Sequence, residues 1–350
     1  MQDNTLDKIS INNYKCFDSF VIDELKQINI ITGLNNVGKT ALLEALYLGL
    51  NSEDAAHFLS CIHDIIDERG FYIKEYDKLN SLFKETNKIT ITTKNNVISF
   101  EKIKGENLLS DDKDSFISSN NLKNQDFFSL KKLDFFKYTD SEDKSDIGLI
   151  NGVEELLDNI IDDKRYITGS NTYISSKVKN ANLLKYSYEE VTATFKEDIL
   201  IESLRLIDKD VEKLNIQNDM LQIKLKSLSS YIPINELGDG FCRVVEILMS
   251  LYTSKTNVIL IDEIESGIHY SKIKSFWKDI ITICKANNIQ LFTTTHSKEF
   301  IDTLVEVSKE SNFDSISLIN LYKDEQEIKY SSVNGTEILS NRISLGLENR

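Results

Sequence analysis

From the N-terminus, apolar positions first recur at every second residue. The stretch "LDKISINNYKCF" (6–17) alternates around Ile9 and Ile11. "FVIDELKQINIIT" (20–32) places Ile28 and Ile30 on one face, and together they predict a hairpin-like β region. The period then changes. In "GLNNVGKTALLEALYLGL" (33–50), Leu42, Leu43, Leu46 and Leu50 recur at helical spacing, so a helix is expected to begin near Lys39. "KITITTKNNVISF" (88–100) predicts two strands joined by an Asn-Asn turn.

The pattern weakens between about 101 and 190. Runs such as "YTDSEDKSD" are polar and loop-like, with helical pieces such as "GVEELLDNIIDD" (152–163) between them. "FKEDILIESLRLIDKDVEKL" (195–214) predicts an amphipathic helix with Phe195, Ile199, Leu204, Ile207, Val211 and Leu214 on one face. "MLQIKLKSL" (220–228) returns to strand alternation. The last third alternates cleanly. A helix follows Gly240, and the apolar runs 257–261 and 289–295 have the continuous character of buried parallel strands. Helices are predicted over 271–287 and 297–310, before a strand near 315–323. This is an α/β chain with a mixed β-sheet. Residues 1–100 and 215–350 are expected to form two halves of one domain, around a mainly helical, partly loop-like insertion at 101–214.

Composition adds exclusions. No apolar run approaches the ~18 residues of a membrane span, and "MQDNTLDKIS" lacks the basic start and apolar core of a signal peptide. The four cysteines, 16, 61, 242 and 284, form no CxxC pair. That spacing argues against both a zinc site and a disulfide framework and fits a reducing cytoplasm. The formal net charge of −15 opposes nucleic-acid binding on average, leaving only a local basic groove for it.

Chemistry concentrates at four places. Gly33, Leu34, Asn35, Asn36, Val37, Gly38, Lys39 and Thr40 match the phosphate-binding P-loop pattern, between an apolar strand and an apolar-faced helix. Loop amides and the helix N-terminus would point positive charge at phosphates, with Lys39 as a point charge and the Thr40 hydroxyl as an Mg²⁺ ligand. "NVILIDEIESGIH" puts Asp262 and Glu263 at the end of a buried strand. Beside a P-loop, Asp262 suits the Mg²⁺-orienting acid and Glu263 the base that takes a proton from attacking water. His296 ends the next apolar strand, where it would bond the γ-phosphate or hold that water. Finally, "ELGDGFCRVVEIL" (236–248) opens a helix with a Gly-Asp-Gly turn, a backbone anion site in principle. Asp239 is either the N-cap of that helix or a charge beside a phosphate.

The segments "NNYKCF", "GLNNVGKTALLEAL", "LGDGFCRVVEIL", "ILIDEIESGIH" and "TTTHS" resemble the ABC-type P-loop NTPase heads of the SMC, RecF and OLD (overcoming lysogenization defect) group. They are most similar to small bacterial AAA family ATPases of the OLD-like branch. The motifs cover about 1–50 and 230–300. The resemblance implies ATP and Mg²⁺ as ligands, and a signature turn at Gly238, Asp239 and Gly240 that meets the γ-phosphate held by another subunit. Transporter relatives carry a Ser and two glycines there, so Gly238 and Asp239 are departures. Ser266 to His269 falls where such heads have their D-loop. Lys15 stands where relatives often have a nucleotide-reaching Arg, or it is a solvated lysine. No glutamine matches the lid position.

The resemblance further implies a homodimer or higher homo-oligomer, closed by ATP. The expected role is sensor or scaffold in a bacterial anti-phage defence system, triggered by a phage protein. The effector would be a separate TOPRIM-like nuclease or toxin, since only 54 residues follow His296. A RecF- or SMC-like DNA-repair head is the alternative.

Overall fold

The computed structural model describes residues 6–68, 82–83, 87–94, 96–104, 134–149, 171–176, 181–253 and 257–336. Its centre is a six-stranded sheet. Strand β3 (Ile28–Gly33) is flanked by β14 (Ile316–Asp324) and β13 (Gln290–Thr294). Beyond β13 lie β12 (Val258–Ile261) and β8 (Asn171–Ile174). These five run parallel, and β15 (Glu327–Asn334) closes the other edge antiparallel to β14. Strands buried on both faces need apolar residues at successive positions. Every residue of β12, "VILI", is accordingly buried.

Successive side chains of these strands feed two cores. On β12, Ile259 and Ile261 face one cluster while Val258 and Leu260 face the other. The first cluster packs α5 (Asp239–Tyr252), α6 (Ile273–Asn287) and α7 (Lys298–Glu310) on one side of the sheet. It also takes in α3 (Ala181–Ala193), α4 (Glu197–Ile207) and a small antiparallel sheet of β9 (Val211–Gln217), β10 (Met220–Leu225) and β11 (Ile232–Pro233).

The second cluster holds α1 (Lys39–Asn51) between the central sheet and an outer antiparallel sheet. That sheet runs β2 (Phe17–Ile22), β1 (Ile9–Tyr14), β4 (Lys88–Thr92), β5 (Val97–Lys104), β6 (Asp134–Thr139), β7 (Ser145–Leu149). Helix α2 (Ala55–Glu68) packs beside α1. Being covered from two sides explains the composition of α1. Ala41, Leu42, Leu43, Ala45, Leu46 and Leu48 are all buried, so it has no wide polar face.

Three expectations need correction. The 195–214 helix ends at Ile207, and Val211–Gln217 is instead strand β9, paired with β10. Phe195 and Ile199, assigned to its buried face, are 94% and 50% exposed. Leu200, Ile201 and Leu204 make the contact instead. The stretch 101–214 is not mainly helical among its described residues. It supplies β6 and β7 to the outer sheet and β8 to the central one. The expected helix at 152–163 lies outside the described residues.

Candidate nucleotide site

Parallel strands end at a common edge, so residues that follow them converge even when far apart in sequence. Here β3 leads into the P-loop, β12 into Asp262 and Glu263, β13 into His296, and β8 into Ser175. All of these border one cavity of about 760 Å³. Asn35, Asn36, Gly38, Lys39 and Thr40 form its P-loop wall. Gly33 and Val37 shape the loop from behind: Val37 is buried, and the Gly33 backbone packs on the Leu321 carbonyl of β14.

Gly38 shows why this loop needs glycine. Its φ is +94°, and a Cβ there would stand 2.5 Å from the Cys16 sulfur and 3.1 Å from the Phe17 ring. Left-handed backbone and close approach thus coincide. The "NNYKCF" hairpin is therefore the surface on which the phosphate loop is moulded.

Lys39 is buried and donates to the Gly33 and Leu34 carbonyls at 3.0 and 2.8 Å. Burial lowers its pKa, against the attraction of Asp262, Glu263 and Glu265. An anion in the cavity would act in the same direction as those carboxylates.

The Thr40 hydroxyl donates to the Asp262 carboxylate at 3.0 Å. Octahedral Mg²⁺ with ligands at about 2.05 Å sets adjacent ligand oxygens roughly 2.9 Å apart. The two groups are thus already spaced as neighbouring ligands. Among the described residues no cluster of three or more His, Cys, Asp or Glu could hold a metal unaided.

Asp262 is 5% exposed and takes a second hydrogen bond from Thr294 at 2.6 Å. The same Thr294 oxygen accepts from the Glu263 amide at 2.7 Å. Glu263 has φ +53°, a left-handed conformation that a non-glycine residue holds only under constraint. The pair does not cap the next helix: a separate 3₁₀ turn, Tyr270–Lys272, precedes α6. His296 is exposed on the cavity rim, and its amide donates to Glu265 at 2.7 Å.

Lys15 reaches the cavity wall but is ion-paired to Glu44, a buried residue of α1. It is half-buried on the β1–β2 turn with φ +50°, so it is not a solvated lysine. Gly238, Asp239 and Gly240 are not brought to this cavity. Gly238 is the N-cap of α5, with φ 86° and ψ 162°, a region almost reserved for glycine. Asp239 is therefore the first helical residue and not the cap, and it is exposed. Gly240 packs directly on Gly267. A Cβ on Gly240 would lie 2.8 Å from the Gly267 Cα, and one on Gly267 only 2.3 Å from the Gly240 Cα.

Three contributors escaped the sequence reading: Thr294, Ser175 and Arg243. Arg243 had a signal, a cation inside the mostly apolar run "FCRVVEIL", which burial makes costly unless partnered. Arg243 is 1% exposed, and its guanidinium donates to the carbonyls of Ser175 and Asp262.

Known proteins bear on this geometry. Over 92% of its length the chain is 26% identical to a Helicobacter pylori protein named ATP/GTP phosphatase, covering 94% of it. Its fold is similar to an SMC head bound to the C-terminal winged-helix domain of ScpA, with TM-score 0.51 and 12% identity, covering 94% of this chain and 98% of that one. It is equally similar to an SMC head with an extended coiled coil, bound to the C-terminal domain of ScpA derived from Pyrococcus furiosus (TM-score 0.51, 11% identity, 98% and 99% covered). The chain thus has an SMC-head-like fold. The family described as "AAA domain, putative AbiEii toxin, Type IV TA system" matches residues 28–302, and with more than half of its length matched the chain belongs to that AAA-domain family.

Proposed function

We propose that the chain binds ATP with Mg²⁺ and hydrolyses it. The observation that carries this is the Thr40–Asp262 contact at 3.0 Å, with Glu263 next in sequence and Lys39 on the same cavity wall. The P-loop amides and Lys39 hold the β- and γ-phosphates. Bound Mg²⁺ would be held by Thr40 and Asp262 and would neutralise charge on the phosphate oxygens. Glu263 takes the proton of a water that attacks the γ-phosphorus, and the bond to the β–γ bridging oxygen breaks. His296, on the rim, orients that water or bonds the γ-phosphate. The name of the Helicobacter relative supports nucleoside triphosphate hydrolysis and leaves the base open.

In our reading the working unit is a homodimer or higher homo-oligomer, with each Gly238–Gly240 turn facing the nucleotide of another subunit. The exposure of this helix N-terminus at Gly238 and Asp239 supports this. We place the chain in the OLD-like branch, as a sensor or scaffold in anti-phage defence with a separate effector. The family description, which names a toxin–antitoxin system, supports a role paired with a second protein.

Steady-state turnover of ATP and GTP by wild type, Lys39→Ala and Glu263→Gln tests the enzymatic part. Hydrolysis reduced to a small residual rate is expected in both variants. Wild-type rates in Glu263→Gln would overturn the assignment of the base. Co-purification from the source operon tests the partner. The purified chain alone is expected to cut neither DNA nor RNA.

A further inference from the structure

The Asp262–Glu263 peptide is gripped from two sides. Its N–H donates to the Thr294 hydroxyl at 2.7 Å. Its carbonyl accepts from Arg243. This peptide plane defines the φ of Glu263, the +53° value that a side chain adopts only when held. Arg243 does not grip Asp262 alone. Ile174 and Ile261 are registered partners at the ends of β8 and β12, and the guanidinium bridges the carbonyls of the residues that follow the two strands, Ser175 and Asp262. A planar fork with parallel N–H groups is suited to such a bridge, whereas an ammonium is not. Arg243 itself stands one turn into α5, the helix whose N-terminal turn packs through Gly240 on Gly267.

We infer that Arg243 is a positioning residue: it sets the direction of Glu263 and ties that direction to the placement of the α5 N-terminus. This rests on Glu263 being the base. A shift of α5, such as closure on another subunit would produce, pulls on the carbonyl of the peptide that aims the carboxylate. The site is then assembled fully only when the signature turn is seated.

The test compares wild type, Glu263→Gln, Arg243→Lys, Arg243→Gln and the Arg243→Lys/Glu263→Gln double variant. ATP affinity, turnover at saturating ATP and melting temperature are measured for each. Arg243→Lys should lower kcat about 10- to 100-fold while ATP affinity stays within about twofold and the melting transition is retained. In the Glu263→Gln background the same change should add no further loss, because there is no base left to aim.

Wild-type kcat in Arg243→Lys, with Glu263→Gln inactive, overturns the inference alone. Equal fold-losses in both backgrounds, or failure of both Arg243 variants to fold, would assign Arg243 a purely structural role and also overturn it. If Glu263→Gln itself turns over ATP normally, the base assignment fails first and the inference falls with it.

Discussion

The chain contains two glycine-bearing turns that each open a helix, one at Gly33–Thr40 and one at Gly238–Gly240. They are built differently. The P-loop is enclosed by its own chain: Cys16 and Phe17 press on Gly38, Leu321 backs Gly33, and Asp262 meets Thr40 across the cavity. The second turn is exposed at Gly238 and Asp239 and anchored through Gly240 to Gly267. The first is a loop enclosed by its own chain, as the proposed phosphate cradle requires. The second is a helix end fixed through Gly240, and in the function proposed above its ligand comes from another subunit. A helix N-terminus attracts anions in either setting, so the surroundings, not the motif, separate the two roles.

That contrast can be broken most severely at the P-loop. Lys39→Ala should lower turnover by at least about 100-fold, the scale for removing one charge-stabilising donor, with little change in melting temperature. Near-normal turnover would show that the cavity is not the reaction site. At the second turn the damage should be to folding as well. Gly267→Ala drives a methyl into the Gly240 backbone and should cost about 1–3 kcal/mol, as overpacking does, measurable as a fall in denaturant midpoint. Gly238→Ala meets no neighbour but should cost a similar ~1–3 kcal/mol through its backbone conformation alone. An alanine there without cost would mean that the turn relaxes readily.

A smaller effect lies away from both turns. Burial pushes the Asp279 carboxyl up to about 6, against a hydrogen bond from Ser203. The folded state therefore disfavours the charged carboxylate. Its penalty is full above pH 6 and is relieved as pH falls towards the ordinary value of 3.8. Asp279→Asn should be stabilised relative to wild type at pH 7, and the difference should shrink between pH 6 and 4. A pH-independent difference in melting temperature would contradict this. Smallest of all, Asp239→Asn should leave stability within about 0.5 kcal/mol, because the side chain is exposed and caps nothing. If the turn faces phosphate in an oligomer, the same change should tighten ATP binding only at concentrations where the oligomer forms.

What could be read from the sequence follows the range of the interactions involved. The P-loop, the Asp262–Glu263 pair and His296 declare themselves because each is a short motif at the end of an apolar strand. Their meeting follows from strand order alone. The 195–214 error has a local cause. Val211 and Leu214 keep helical spacing after Leu204, so periodicity runs on through "DKD" (208–210). The pairing of Val211–Gln217 with Met220–Leu225 decides the outcome instead. Strands β6 and β7 were hidden for a similar reason. Their place depends on completing the edge of a sheet begun more than a hundred residues earlier. The Gly240–Gly267 contact involves backbone atoms of distant residues, which no side-chain pattern encodes; for Arg243 the pattern shows a cation in an apolar run but not the carbonyls it meets.

The most direct test of the account is the mass of Glu263→Gln in solution, with and without ATP and Mg²⁺, alongside its turnover. The account predicts an inactive variant that retains ATP and shifts to a dimer or higher oligomer only when nucleotide is present. A variant that retains ATP yet stays monomeric at all protein concentrations would contradict the claim that the second turn completes the site of another subunit.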